Sequence, residues 1–139
     1  MVTITDEIIE KLKSNNFSIK VEDVREPYSS KDPVYPMIIV EETRNTPYLQ
    51  LHGELILSTI NYRFEIYGRD ISVDETLLSR RKVVTQLGND LDSIMRETYG
   101  MKIVGTPQIL RYGKDGSILR YIVTYGGIID NKTMLIYQK

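Results

Sequence analysis

Cysteine and tryptophan are both missing from this 139-residue chain, and histidine occurs once, at position 52. Without cysteine there is no disulfide, no thiolate metal ligand and no cysteine nucleophile. A lone His52 cannot supply a zinc site that needs two imidazoles, and it leaves a single candidate for imidazole chemistry. Neither sign of charge is in excess: 18 basic against 19 acidic side chains give a net charge of −1. General nucleic-acid binders hold phosphates with a surplus of Lys and Arg, so the balance speaks against that class. Apolar runs are short, Met37–Val40 being typical, far below the ~20 residues of a membrane-spanning helix. Met1–Glu7 offers neither a basic nor an apolar segment, so no signal peptide is expected and the chain is expected in the cytoplasm, or in something assembled there.

What is present is ordinary in bulk and skewed in detail. Hydrophobic residues make up 41% and charged residues 27%, the profile of a globular chain. The length fits one domain, residues 1–139, with a core that needs no staples. Ten tyrosines stand against two phenylalanines. Tyrosine joins an apolar ring to a hydrogen-bonding tip, which suits interfaces; wet hydroxyls along sheet edges are the plainer explanation.

Periodicity predicts a short amphipathic helix over residues 5–16, with Thr5 as N-cap, Asp6 and Glu7 in the first turn, and Ile8, Ile9 and Leu12 on one face. Phe17–Val21 alternates like a short strand, and the three prolines between Glu22 and Pro36 read as an irregular connection. Met37–Glu42 reads as a central strand, separated by Thr43–Gly53 from a longer one, Leu55–Tyr67. That long strand places Ile56, Ser58, Ile60, Tyr62, Phe64 and Ile66 on one face and Leu57, Thr59, Asn61, Arg63 and Glu65 on the other, which is expected to be wet. Its reach of roughly 40 Å exceeds what a domain of this size needs, so part of it is expected to project.

Ser72 followed by Glu75 carries a capping-box signature ahead of the main helix, whose stripe runs through Leu77, Val84, Leu87, Leu91, Ile94 and Met95 and closes at Tyr99-Gly100. Thr85 and Gly88 are expected to weaken its middle. A long β-hairpin follows, turning at Asp115-Gly116, and Thr133–Tyr137 supplies a last strand. The order of elements gives an α+β fold: a mostly antiparallel sheet, one short and one long helix packed on one face, and a long β-hairpin arm. The expected core contains Ile38, Val40, Ile60, Tyr62, Phe64, Ile66, Leu87, Leu91, Ile94 and Val123.

Few residues suggest chemistry. Glu41-Glu42 on a strand and Asp90/Asp92 on a helix are paired carboxylates, but neither spacing makes a pair converge. His52 beside Gly53 fits a polar turn better than a general base. Gly113 to Gly116 lies between two strands, whereas phosphate cradles join a strand to a helix. Arg80-Arg81-Lys82 could touch DNA or an acidic partner, or form the wet face of its helix. A small metal-dependent nuclease using Glu41, Glu42 and His52, or a nucleic-acid-binding protein, is the alternative function.

Four phrases carry a resemblance: Tyr35-Pro-Met-Ile-Ile-Val-Glu-Glu42, Asn61-Tyr-Arg-Phe-Glu-Ile-Tyr67, Ile94-Met95 near the end of the long helix, and Leu119-Arg-Tyr-Ile-Val-Thr-Tyr125. In pattern and order, over roughly residues 5 to 137, the chain resembles the tail-terminator proteins of long-tailed bacteriophages and phage-like particles, also called tail-completion or head-to-tail joining proteins. The resemblance implies a structural virion subunit without catalytic residues, cofactor or metal. It implies a homo-oligomeric ring, usually of six copies, at the head-proximal end of the tail, assembled in the host cytoplasm. Its partners would be the tail-tube protein and the head connector or a collar or sheath protein; DNA would only pass through the lumen, and no membrane is involved. Thr43–Gly53 matches no pattern of the family. Because Pro47–Leu51 is apolar where a loop would be polar, residues around Thr43–Leu57 are expected to form a projecting arm that lies on a neighbouring subunit or on the tube. The expected subunit-interface residues are Tyr48, Leu49 and Leu51, with Arg63 and Glu65 as polar contacts.

Overall fold

Thr3 starts the first helix. Its hydroxyl accepts from the backbone of Asp6 while the Asp6 carboxylate accepts from the backbone of Thr3, a reciprocal cap on α1 (Ile4–Ser14). The cap is therefore Thr3 rather than Thr5, because starting there seats Ile4 on the buried face with Ile8 and Leu12. Thr5 instead meets the Tyr62 hydroxyl at 3.0 Å and ties the helix to the sheet. The computed structural model describes residues 3–130 and 135–137. No helix among them is long and apolar enough to cross a membrane.

Phe17–Val21 is not a strand. Ile19 alone is fully buried there, and Asp90 fixes the segment by accepting from the backbone and hydroxyl of Ser18 at 2.9 and 2.7 Å. The strand comes just after it: β1 (Asp23–Arg25) lies parallel to the start of β2 (Met37–Leu51), inside the stretch expected to be irregular throughout. The separation expected at Thr43 does not occur. Strand β2 runs on to Leu51 and pairs antiparallel with β3 (Glu54–Gly68) from Met37↔Tyr67 to Leu51↔Glu54. His52 and Gly53 make the turn, both with left-handed backbone (φ 53° and 77°), which suits the twist of a two-residue hairpin.

The Ser72–Glu75 cap does not form. Ser72 lies in β4 (Ile71–Val73), which pairs with β5 (Thr76–Leu78) around a tight turn at Asp74-Glu75, and Leu77 is 73% exposed rather than on the helix stripe. The second helix, α2 (Arg80–Tyr99), begins after Ser79, whose hydroxyl accepts from Lys82 N, and the Asp70 carboxylate takes the Arg80 N–H at 2.7 Å. It ends at Gly100 (φ 65°), which donates to Arg96 O while Met101 N donates to Met95 O. Gly88 is a seat rather than a weak point: a Cβ there would lie 3.3 Å from the Tyr121 ring.

Beyond α2 come β6 (Lys102–Ile103), β7 (Gln108–Tyr112), β8 (Ile118–Asp130) and β9 (Leu135–Tyr137). The expected hairpin turn at Asp115-Gly116 connects β7 and β8. The seven-stranded sheet has the order β1-β2-β3-β8, and β7, β6 and β9 lie in turn along the far side of β8. Register aligns Ile38 with Ile66 and Tyr121, Val40 with Phe64 and Val123, and Tyr62 with Tyr125. On that face Tyr62 meets Thr5 of α1, Tyr121 meets Gly88 of α2 and Tyr125 meets Asp92 of α2, so both helices cover the same side. All ten residues expected in the core are buried. The architecture is α+β with a mostly antiparallel sheet and a long hairpin.

Candidate functional site

The β2–β3 hairpin outreaches the helices. Along its outer half Tyr48, Leu49 and Leu51 are 55%, 40% and 53% exposed, a run of large apolar side chains at the end of an extended ribbon. Strand β3 pairs with β8 from Gly68 out to Leu57, so of the β2–β3 ribbon only the end, about residues 48–56, runs past β8. Register shifts fall between Glu42 and Arg44, between Pro47 and Leu49 and between Leu49 and Gln50, and Pro47 offers no N–H. Strand β1 pairs with β2 only at Met37–Ile39, so among the described residues nothing pairs with the outer edge beyond it. Bulges and proline on an open edge resist the addition of another strand. Contact by side chains remains open.

Arg63 and Glu65, expected as free polar contacts on a wet face, are engaged within the chain. Glu65 is 7% exposed at its side chain and is paired with Arg120, and Arg63 is paired with Glu41 across the β2–β3 register. The reason is position: β3 is central, and Ile39, Tyr67, Ile122 and Arg120 from three strands crowd its helix-free face. The Nε atoms of Arg63 and Arg120 are buried without a hydrogen-bond partner, so each guanidinium uses only its outer end. The same face carries an aromatic group that single-strand reasoning missed. The Tyr67 ring lies 5.0 Å from Tyr112 and 6.4 Å from Tyr35, and the Arg120 and Arg69 guanidiniums sit 5.9 Å from the Tyr67 and Tyr35 rings. Burial, then the neighbouring Tyr112 and Tyr35 hydroxyls, push the Tyr67 phenol up to about 12. The surplus of tyrosine was the signal; cross-strand register was needed to locate it.

The residues with chemical potential are dispersed. Glu41 and Glu42 face opposite sides of β2, one on Arg63 and the other accepting from Asn45 Nδ2 at 3.2 Å. His52 lies at the hairpin turn, roughly 30 Å along the strand from Glu42 at ~3.3 Å per residue, so the structure brings no pair of these with the histidine. Asp90 serves Ser18 while Asp92 accepts from Arg96 Nε at 2.9 Å and from the Tyr125 hydroxyl at 2.7 Å. Burial first and the Asp92 bond second raise the Tyr125 phenol far above its ordinary value. Arg80 pairs with Asp70, leaving Arg81 and Lys82 exposed on α2. Gly113 and Gly116 (φ 88° and 68°) shape the β7–β8 turn, where hydrogen bonds from Ser117 hold Asp115 below the usual carboxylate range. Among the described residues no group of three or more His, Asp or Glu side chains is placed to hold a metal ion.

Comparison with protein-family models and with curated proteins finds no match to this chain.

Proposed function

We propose that the chain is a structural assembly subunit, a tail terminator that forms a ring, of six copies in the usual arrangement, on the head-proximal end of a tail tube. The ring would stop tube growth and offer its other side to a head connector or collar. The observation that carries this reading is the projecting β2–β3 hairpin with Tyr48, Leu49 and Leu51 exposed along it. Contiguous apolar surface on a soluble subunit marks a contact with another protein, and a closed ring needs two different patches on each copy. The strand phrases that resemble tail terminators lie in β2, β3 and β8, the three long strands at the centre of the sheet. In this reading the chain does no catalysis and needs no cofactor.

The test replaces Tyr48, Leu49 and Leu51 together by serine. The expected product keeps its circular dichroism and melting behaviour but forms no ring in light scattering and leaves tails overlong. Normal tail lengths with this variant would refute the arm as the contact. Metal-dependent cleavage of DNA by the purified protein would refute the structural role itself.

A further inference from the structure

The β7–β8 turn carries a reactive dipeptide. Of the aspartates and asparagines in the chain, Asp115 alone is followed by glycine. The backbone nitrogen after an aspartate can close on that residue's own side-chain carbonyl carbon, because the product is an unstrained five-membered imide. A side chain on the following residue crowds that nitrogen, and Gly116 has none. Lys114, Asp115 and Ser117 are exposed at the turn, within reach of water. The same turn shows what holds the reaction back. The Gly116 N–H donates to Gly113 O at 3.3 Å, and Asp115 Oδ1 accepts from Ser117 N at 3.0 Å. Bonds from the Ser117 hydroxyl and then its N–H keep the Asp115 carboxyl below the usual range, hence ionised, and a carboxylate is a poor electrophile. Both restraints lie at an exposed tip, where local opening needs no unfolding of the sheet.

We propose that Asp115-Gly116 is a site of spontaneous main-chain modification and that Ser117 restrains it. When the turn opens, the Gly116 nitrogen gives up its proton and bonds to Asp115 Cγ, and the carboxyl oxygen leaves as water. Water then adds to one of the two imide carbonyls. Addition at Cγ restores aspartate. Addition at the Asp115 main-chain carbonyl breaks its bond to the Gly116 nitrogen and leaves the chain running through Cβ and Cγ as isoaspartate. One water is lost and one regained, so nothing besides solvent is needed. The isomer puts one more carbon into a turn that β7 and β8 close at Tyr112↔Ile118, and it displaces the carboxylate that Ser117 holds. Among the described residues β7 pairs with β8 alone, so β7 is expected to loosen while the β3–β8 ladder stays. This chemistry is independent of what the chain assembles with.

The test incubates the purified chain at mildly acidic pH, folded and in urea, and reads isoaspartate by enzymatic methyl transfer to its free carboxyl and by peptide mapping. The isomer is expected to accumulate in the peptide that holds Asp115 and Gly116, several-fold faster in urea than in the folded chain, and to be missing there from Asp115→Ser. Ser117→Ala is expected to speed its formation several-fold in the folded chain and to match the wild type in urea. Ser117→Thr, which keeps the hydroxyl, is expected to stay near the wild type in both. Aged chain is expected to show faster amide exchange over Gln108–Tyr112 and unchanged exchange along β3. Isoaspartate that forms preferentially elsewhere, or none at Asp115 in either state, overturns the site. Equal rates for wild type and Ser117→Ala when folded, or equal rates folded and in urea, overturn the restraint by Ser117. Unchanged exchange over Gln108–Tyr112 in the aged chain overturns the effect on β7.

Discussion

The Tyr125–Asp92 contact is the clearest place to test how α2 is held on the sheet. The Tyr125 ring is 1% exposed, its hydroxyl donates to Asp92 at 2.7 Å, and the ring meets Phe64 edge-on at 5.8 Å. Tyr125→Phe keeps the ring and removes one hydrogen bond to a carboxylate, a class of bond that contributes about 1.5–3 kcal/mol. Asp92 is 35% exposed, so water remains close and the lower end, about 1.5 kcal/mol, is the expected loss. Asp92→Ala should cost about 2 kcal/mol, because it orphans the buried phenol as well. Arg96, 52% exposed and four residues along the helix, forms an ordinary surface pair with Asp92, and Arg96→Ala should leave the stability nearly unchanged. With 139 residues at ~2.1 cal/mol/K each, the unfolding entropy is about 0.3 kcal/mol/K, so Tyr125→Phe should lower the melting temperature by about 5 °C. Urea unfolding of the two single variants and the double variant completes the cycle, with an expected coupling of about 1.5 kcal/mol. A coupling below about 0.5 kcal/mol would refute the view that this bond, rather than the apolar stripe alone, fixes α2 on β8.

Leu91→Ala removes a side chain with no exposure from that stripe and should cost about 2–5 kcal/mol in denaturant melts; a loss within error would mean that α2 does not pack on the sheet. Asp74 and Glu75 hold left-handed backbone at φ 51° and 65°, which Asn-Gly adopts more readily, so Asp74→Asn with Glu75→Gly should raise stability by about 1 kcal/mol, and a decrease would show that the turn geometry is wrong. Tyr62 and Tyr67 have their phenols raised to about 12, chiefly by burial. Unfolded tyrosine titrates near ~10, so the stability they contribute is whole below that pH and is lost as pH rises from about 10 toward about 12. Tyr62→Phe should flatten the alkaline melting profile in that window, and an unchanged slope would exclude Tyr62 as its source.

Much of the core was legible because its signals are local. The Val84–Leu87–Leu91–Ile94–Met95 spacing of α2 and the alternation of Ile60, Tyr62, Phe64 and Ile66 each report a buried face without knowledge of the partner. The segment 71–78 was not, since Ser72 and Glu75 have the spacing of a helix cap in a stretch that folds as a small hairpin. Two readings at equal spacing differ there only in the left-handed turn at Asp74-Glu75. Strand β1 escaped because its three residues are extended by a parallel neighbour, Met37–Ile39, and carry no alternation of their own. Within the candidate site, Tyr48, Leu49 and Leu51 stood out as apolar residues in a polar context. The burial of Glu65 did not, because it depends on Arg120, fifty-five positions away.

The central place of β3 has a consequence for how the molecule comes into being. One side of β3 is closed by β2 through a two-residue turn, so that ribbon can zip as soon as both strands exist. Its other side waits for β8, which begins only at Ile118, after residues 69–117 have been laid down as a small hairpin, a helix and short strands. During synthesis, at ~5–20 residues per second, the longest hydrogen-bonding edge in the sheet therefore stays open for seconds. A chain cut before Ile118 would keep that edge open for good, with Phe64 and Ile66 lacking their β8 neighbours Val123 and Tyr121, and is expected to aggregate.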